Sequence, residues 1–193
     1  MNYLYDEIFS YFKTGQAEHS DSEGFVKTIG KKILMLMKAG KSFYHEEKIM
    51  GQDEPMEGLQ IFIRPSKKDL NPEVVFLDLE TIHSENKWRL LASPEPATTF
   101  QFSSQIWLYD MKLLQGNSSE IPELPKSNLT VLLYVFQGSV QVNDTIDLRK
   151  KESIVFKNEP IVINASEDAE LVLFVTDEDG EIYKDVMYSG NQM

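Results

Sequence analysis

Cysteine is absent from the 193 residues. Disulfides, thiolate nucleophiles and Cys-ligated zinc are thereby excluded. Histidine is nearly absent too, at three residues, so any imidazole chemistry must come from a very small set. Positive charge is scarce: 19 Lys and Arg stand against 31 Asp and Glu, for a net charge of −12. That balance opposes binding to nucleic-acid phosphates or anionic membranes. The only dense basic spots are Lys31-Lys32, Lys67-Lys68 and Arg149-Lys150-Lys151, which read as solvated turns. No apolar run approaches the ~20 residues that a membrane-spanning helix needs. Asp6 and Glu7 break the first apolar stretch, so no signal peptide is expected and the default location is cytoplasmic. Gly and Pro are too few for a disordered or collagen-like chain.

Several catalytic patterns are missing as well. There is no G-x-G-x-x-G, no phosphate-binding P-loop and no Gly-x-Ser-x-Gly elbow. Asp177-Glu178-Asp179-Gly180-Glu181 lacks the twelve-residue calcium-loop spacing and reads as a solvated turn.

What is present is apolar residues at 41%, enough for a real core. They fall in short runs rich in β-branched and aromatic residues: 7–13, 33–38, 59–63, 74–79, 100–102, 105–114, 130–137, 140–142, 153–156, 161–163 and 170–175. Gly, Pro, Asn, Asp and Ser punctuate them, which is a strand pattern. No segment keeps a helical repeat. Ile106 to Leu114 comes nearest, but its Trp, Tyr and Ile suit a strand equally. Many short strands predict an all-β sandwich or barrel.

The chain also faintly repeats itself. Lys31-Lys32-Ile33-Leu34-Met35-Leu36-Met37-Lys38 is echoed by Lys150-Lys151-Glu152-Ser153-Ile154-Val155-Phe156-Lys157. Upstream of each lies an apolar run closed by glycine, Ile8 to Gly15 and Val131 to Gly138. The repeat predicts two similar β units, 1–80 and 81–193, divided near residue 80.

Each histidine has an acid two positions later: His19/Asp21, His45/Glu47 and His83/Glu85. Residues two apart on a strand face the same way, so each pair could point at one ion. His19 and His83 sit among turn-forming residues and read as surface positions. His45 follows an Ala-Gly turn after the buried strand 33–38 and could line a barrel interior. In the echo it falls opposite Asn164, and Glu47 opposite Ser166, so the first unit is the one that could hold a site. A lone His–Glu pair is either a hydrogen-bonded pair at a barrel mouth or part of the three or more ligands a metal needs. Trp88 and Trp107 suit ordinary core or a lined pocket.

Three stretches carry a resemblance to a known family: Tyr11 to Gly24, Met37-Lys38-Ala39-Gly40-Lys41-Ser42-Phe43-Tyr44-His45-Glu46-Glu47, and Glu57-Gly58-Leu59-Gln60-Ile61-Phe62-Ile63-Arg64-Pro65. Together with 165–174 they resemble the pirin family of bicupins, in order and at family spacing. The resemblance implies two tandem cupin (double-stranded β-helix, jelly-roll) domains. It implies a divalent transition metal in the first, most often iron, held by His-x-His and then His-x-Glu. His45 and Glu47 fit the second pair, and Glu7 matches a further glutamate that could act as a ligand. The first pair falls on Met1 and Tyr3, neither of them a histidine.

The expected function is therefore that of a non-catalytic pirin-like protein binding a small aromatic molecule or a protein partner. The alternative is a metal-dependent dioxygenase of the quercetin 2,3-dioxygenase type. Pirins carry further residues before this point that supply early strands, so the first cupin should be incomplete, with unpaired strand edges. The expectation is a homodimer through the open edge, or a gene start set too far downstream.

Overall fold

In a computed structural model the described residues are 2–3, 6–40, 43–51 and 55–184; the side chains of Asn2, Tyr3 and Phe43 are not described. Among them the chain forms eighteen strands and no helix. Among the described residues no helix is long and apolar enough to cross a membrane.

The polypeptide divides into two compact units. The first runs to Ile82 and takes in Phe102–Ser104 and the described residues from Glu181 on; the second comprises His83–Gln101 and Gln105–Gly180. The sequence suggests one division near residue 80, but the chain re-enters the first unit at Phe102–Ser104. There Phe102 packs edge-on against Phe9 at 6.1 Å, and the Glu7 carboxylate accepts the backbone N–H and hydroxyl of Ser103.

The first unit holds β1 (Asn2–Tyr3), β2 (Glu7–Thr14), β3 (Gln16–Asp21), β4 (Val26–Gly30), β5 (Ile33–Lys38), β6 (Phe43–Met50), β7 (Glu57–Ile63) and β8 (Glu73–Asp78). They form one sheet in the order β1-β6-β3-β4-β5-β2-β7, with β8 also on β5. Alternation along β2 turns Ile8 and Phe12 inward, where they meet Ala17, Ile29, Met35, Met37 and Val74.

The second unit holds β9 (Arg89–Ser93), β10 (Phe100–Gln101), β11 (Ile106–Leu113), β12 (Ser118–Glu120), β13 (Thr130–Gln137), β14 (Ser139–Val142), β15 (Ile146–Arg149), β16 (Ser153–Lys157), β17 (Val162–Ala165) and β18 (Ala169–Thr176). Two sheets result, β10-β9-β11-β18-β13-β16 and β12-β17-β14-β15, around one apolar core. The best helix candidate, 106–114, is β11, because all eight of its residues pair with β18. Trp107 is core.

The echo is structural. β2 and β13 each shift register one residue before their closing glycine, between Phe12 and Thr14 and between Val135 and Gln137. Gly15 and Gly138 follow with φ +72° and +81°. A Cβ on Gly138 would lie 2.1 Å from the Asp168 carbonyl oxygen, so only glycine fits this left-handed corner. Beyond it, Val140–Val142 pairs with β15 across a tight turn in which Asn143 and Asp144 both have positive φ, the twist that hairpins prefer.

Candidate functional site

Strands β3 and β6 of the first unit run antiparallel, with His19 opposite Glu47 and Asp21 opposite His45. Alternation puts all four side chains on one face of the sheet. His19 is fully buried, and its Nε2 donates to Asp21 Oδ2 at 2.8 Å. The other Asp21 oxygen accepts the backbone N–H groups of Glu23 (2.9 Å) and Phe25 (3.1 Å), which closes the turn into β4. Asp21 is thus committed on both oxygens.

The His19 ring stacks on His45, with centroids 5.6 Å apart and planes 25° from parallel, while Phe76 of β8 meets it edge-on at 5.9 Å. Burial, followed by the neighbouring His19, pulls the His45 pKa down to about 4, so this imidazole is neutral at pH 7. Glu47 Oε1 lies 3.9 Å from His45 Nε2, and the Gln60 amide of β7 donates to the Glu47 carboxylate at 3.3 Å. Burial raises the Glu47 pKa. Ser10, directly across the β2–β7 ladder from Gln60, buries its hydroxyl without a hydrogen-bond partner, as does Nδ1 of His19. Ser20, Asp21, Ser22, Tyr44, His45 and Glu46 line an open cleft of about 280 Å³.

The structure therefore brings His45 and Glu47 together and adds His19, which the turn-like sequence around it hides. Read as a surface residue, His19 is instead the penultimate inward position of a strand whose outward residues, Glu18 and Ser20, are polar. Glu7 takes a different role. It is fully buried, and its carboxylate accepts Ser103 N–H at 2.9 and 3.1 Å and Ser103 O–H at 2.7 Å. Burial raises its pKa against those bonds. Met1 lies outside the described residues, and only the backbone of Tyr3 is described, paired with Phe43. His83, in the second unit, sits 3.8 Å from Glu170.

The second unit serves as an internal control. Ala17 faces Ile49 and Ile29 in the first unit; Val140 faces Ala165 and Leu148 in the second. Counting along these ladders, Val142, Ile161 and Ile163 occupy the places of His19, His45 and Glu47. This corrects the sequence pairing with Asn164 and Ser166, because from the equivalent residues Lys38 and Lys157 the ladder position of Glu47 is reached nine residues on and that of Ile163 only six. By the same reasoning, Leu133 and Leu173 replace Ser10 and Gln60. All five replacements are core residues, each exposed by 4% or less. The scaffold closes without polar residues at these positions, so the polar set of the first unit is not a requirement of the fold. Ser10, His19 and Gln60 are the residues that sequence reasoning missed; their signal lies in the cross-strand register.

Residues 4–63 match the Pirin family model. Over these residues the chain is similar to the pirin family, and its fold is the cupin fold. It is 24% identical over 169 residues to the quercetin 2,3-dioxygenase of Escherichia coli K12, covering 87% of this chain and 71% of that one. It is 29% identical over 116 residues to the pirin-like protein YhaK of the same strain, covering 58% of this chain and 47% of that one. The crystal structure of the E. coli pirin YhhW in complex with nickel(II) superposes with a TM-score of 0.79 at 22% identity, over 91% of this chain and 74% of that one. Among the described residues no three His, Asp or Glu side chains are placed to hold a metal. His19 Nε2 is spent on Asp21, and Asp21 on its turn.

Proposed function

We propose that this pirin-like chain is a non-catalytic binding protein whose first cupin takes up a small aromatic molecule bearing hydroxyl groups. The observation that carries this reading is the polar set Ser10, His19, His45, Glu47 and Gln60, standing where the second cupin has Leu133, Val142, Ile161, Ile163 and Leu173. Buried polar atoms without partners cost stability, so a fold that closes without them keeps them for a ligand. His45 and Tyr44 line the cleft and offer faces to a flat ring, and His19 backs His45 from within. Glu47 and the unpartnered Ser10 hydroxyl offer hydrogen bonds. A cleft of about 280 Å³ suits a compact ligand.

A second reading is a metal-dependent dioxygenase acting on quercetin-like substrates. It is favoured by the similarity to a quercetin 2,3-dioxygenase and by His45 and Glu47 lying side by side. One experiment separates the two readings. The untagged chain is titrated calorimetrically with quercetin in EDTA, and oxygen uptake is then followed after ferrous or nickel ions are added. The binding reading expects saturable association in EDTA, weakened by His45→Ala, and no oxygen uptake above buffer. Metal-dependent uptake that His45→Ala abolishes overturns it, as does the absence of binding in EDTA.

A further inference from the structure

The β3–β4 hairpin is longer than its counterpart in the second unit. Seven residues, 20–26, separate the cross-strand partners His19 and Lys27. Only three, 143–145, separate the corresponding partners Val142 and Ile146. The longer tip belongs to the unit that has the polar set, and it carries Phe25, which is 47% exposed. The side of the sheet that Phe25 takes follows from the register. Ser20 stands opposite Val26, and one step on the Asp21 N–H donates to the Phe25 carbonyl at 3.1 Å. Asp21 in turn stands opposite His45 on β6. Residues directly opposite one another share a face, so His45, Asp21 and Phe25 form one row across three strands, with Asp21 in the middle. Neighbouring strands lie about 4.8 Å apart, which sets the backbones of Phe25 and His45 about 9.5 Å apart. Two rings facing each other over that span leave room for one flat ring between them and for little that is thicker.

We infer, on the reading of the first cupin as a binder of hydroxylated aromatic molecules, that Phe25 determines the specificity of that site: its ring and the His45 imidazole clamp the guest's ring from two sides, across Asp21. The tip is fixed in place for this. Asp21 Oδ1 accepts the N–H groups of Glu23 and Phe25. Ser22 makes two bonds with Tyr44 of β6: its N–H donates to the Tyr44 carbonyl at 2.9 Å, and its hydroxyl accepts the Tyr44 N–H at 3.3 Å. Phe25 is thus positioned before a guest arrives, which lowers the ordering cost of binding. The shorter tip of the second unit is given over to structure. Asn143 Oδ1 accepts Val162 N–H at 2.8 Å, and Asp144 Oδ1 accepts the Asn164 amide at 2.9 Å. A clamp one ring wide selects for planarity, so a flat polyphenol is held and a puckered one of the same size is not.

Calorimetric titration of the full chain in EDTA tests the clamp with two probes: quercetin, which is flat, and dihydroquercetin, whose central ring is saturated and puckered. The natural chain should prefer quercetin by about tenfold. Phe25→Ala should weaken quercetin binding by about tenfold and leave dihydroquercetin within about twofold, so the preference disappears. The thermal midpoint should not change, because the residue sits at an exposed tip. Phe25→Tyr keeps the ring and should keep the preference. If Phe25→Ala binds quercetin as the natural chain does, the clamp is overturned, while a loss in His45→Ala leaves the binding reading standing. Equal loss of both flavonoids in Phe25→Ala also overturns the clamp, since a folding defect would act that way. A natural chain that binds neither flavonoid overturns the binding reading and the clamp together.

Discussion

Replacing His45 and Glu47 together with isoleucine would give the first cupin part of the interior of the second, where Ile161 and Ile163 are 4% and 0% exposed. The effect on stability follows from what each change removes and adds. Each isoleucine withdrawn from water contributes about 1.5–3 kcal/mol. Against this, the bifurcated hydrogen bond from the Gln60 amide to the Glu47 carboxylate disappears, at about 1 kcal/mol. Imperfect fit in a cavity not shaped for these side chains costs a further 1–3 kcal/mol or so. At mid-range the balance is a gain of about 1.5 kcal/mol, which for a unit of roughly 100 residues raises the melting midpoint by about 6–12 °C. Differential scanning calorimetry in EDTA reads it, with circular dichroism as a second probe of both units. Trp88 and Trp107 lie in the second unit, so tryptophan fluorescence should report an unchanged transition. A first-unit midpoint that falls by several degrees refutes the reasoning, because it makes the polar set part of what holds the barrel together rather than something the barrel keeps at a cost.

Three further outcomes are expected. Burial, opposed by Arg64, raises the Asp6 pKa from 3.8 to about 6, so the native state holds this proton more tightly than the unfolded state. Its contribution is most favourable below pH 4 and is lost between pH 4 and 6, by at most about 3 kcal/mol; the stability gap between Asp6→Asn and the natural chain, from urea melts, should therefore widen over that interval and level off above pH 7. Glu7→Ala strands the buried N–H and hydroxyl of Ser103 and should cost about 3 kcal/mol or more, with hydrogen exchange at Ser103 accelerating first. Gly138→Ala should cost well above 2 kcal/mol or so because its Cβ meets the Asp168 carbonyl, whereas Gly116→Ala, equally left-handed but with nothing within 4 Å, should cost only about 1–2 kcal/mol.

The β character and the strands of both cores were legible in the sequence because β2, β5, β13 and β18 bury apolar residues that ordinary patterning reveals. β3 and β6 were not, since each carries acidic and imidazole side chains on its inward face and polar ones outside, and nothing alternates in hydropathy. The same composition that makes them the site hides them as strands. His45 and Glu47 show in their spacing, but His19 reads as a turn residue because Ser20, Asp21, Ser22 and Gly24 follow it. Their turn is real, but it begins at Ser22, three residues after a ring already inside. Ser10 and Gln60 carry no local signal, since they become neighbours only through the ladder that joins β2 to β7.

Asp21 ties the barrel interior to the surface turn. Its carboxylate is shared between an imidazole within the barrel and two backbone amides at its surface. Any guest that draws the His19 ring aside must slacken the bend at Ser22–Phe25, so the protein carries its own occupancy gauge. Amide shifts at Glu23 and Phe25 would register filling of the chamber from outside it, with no label placed within.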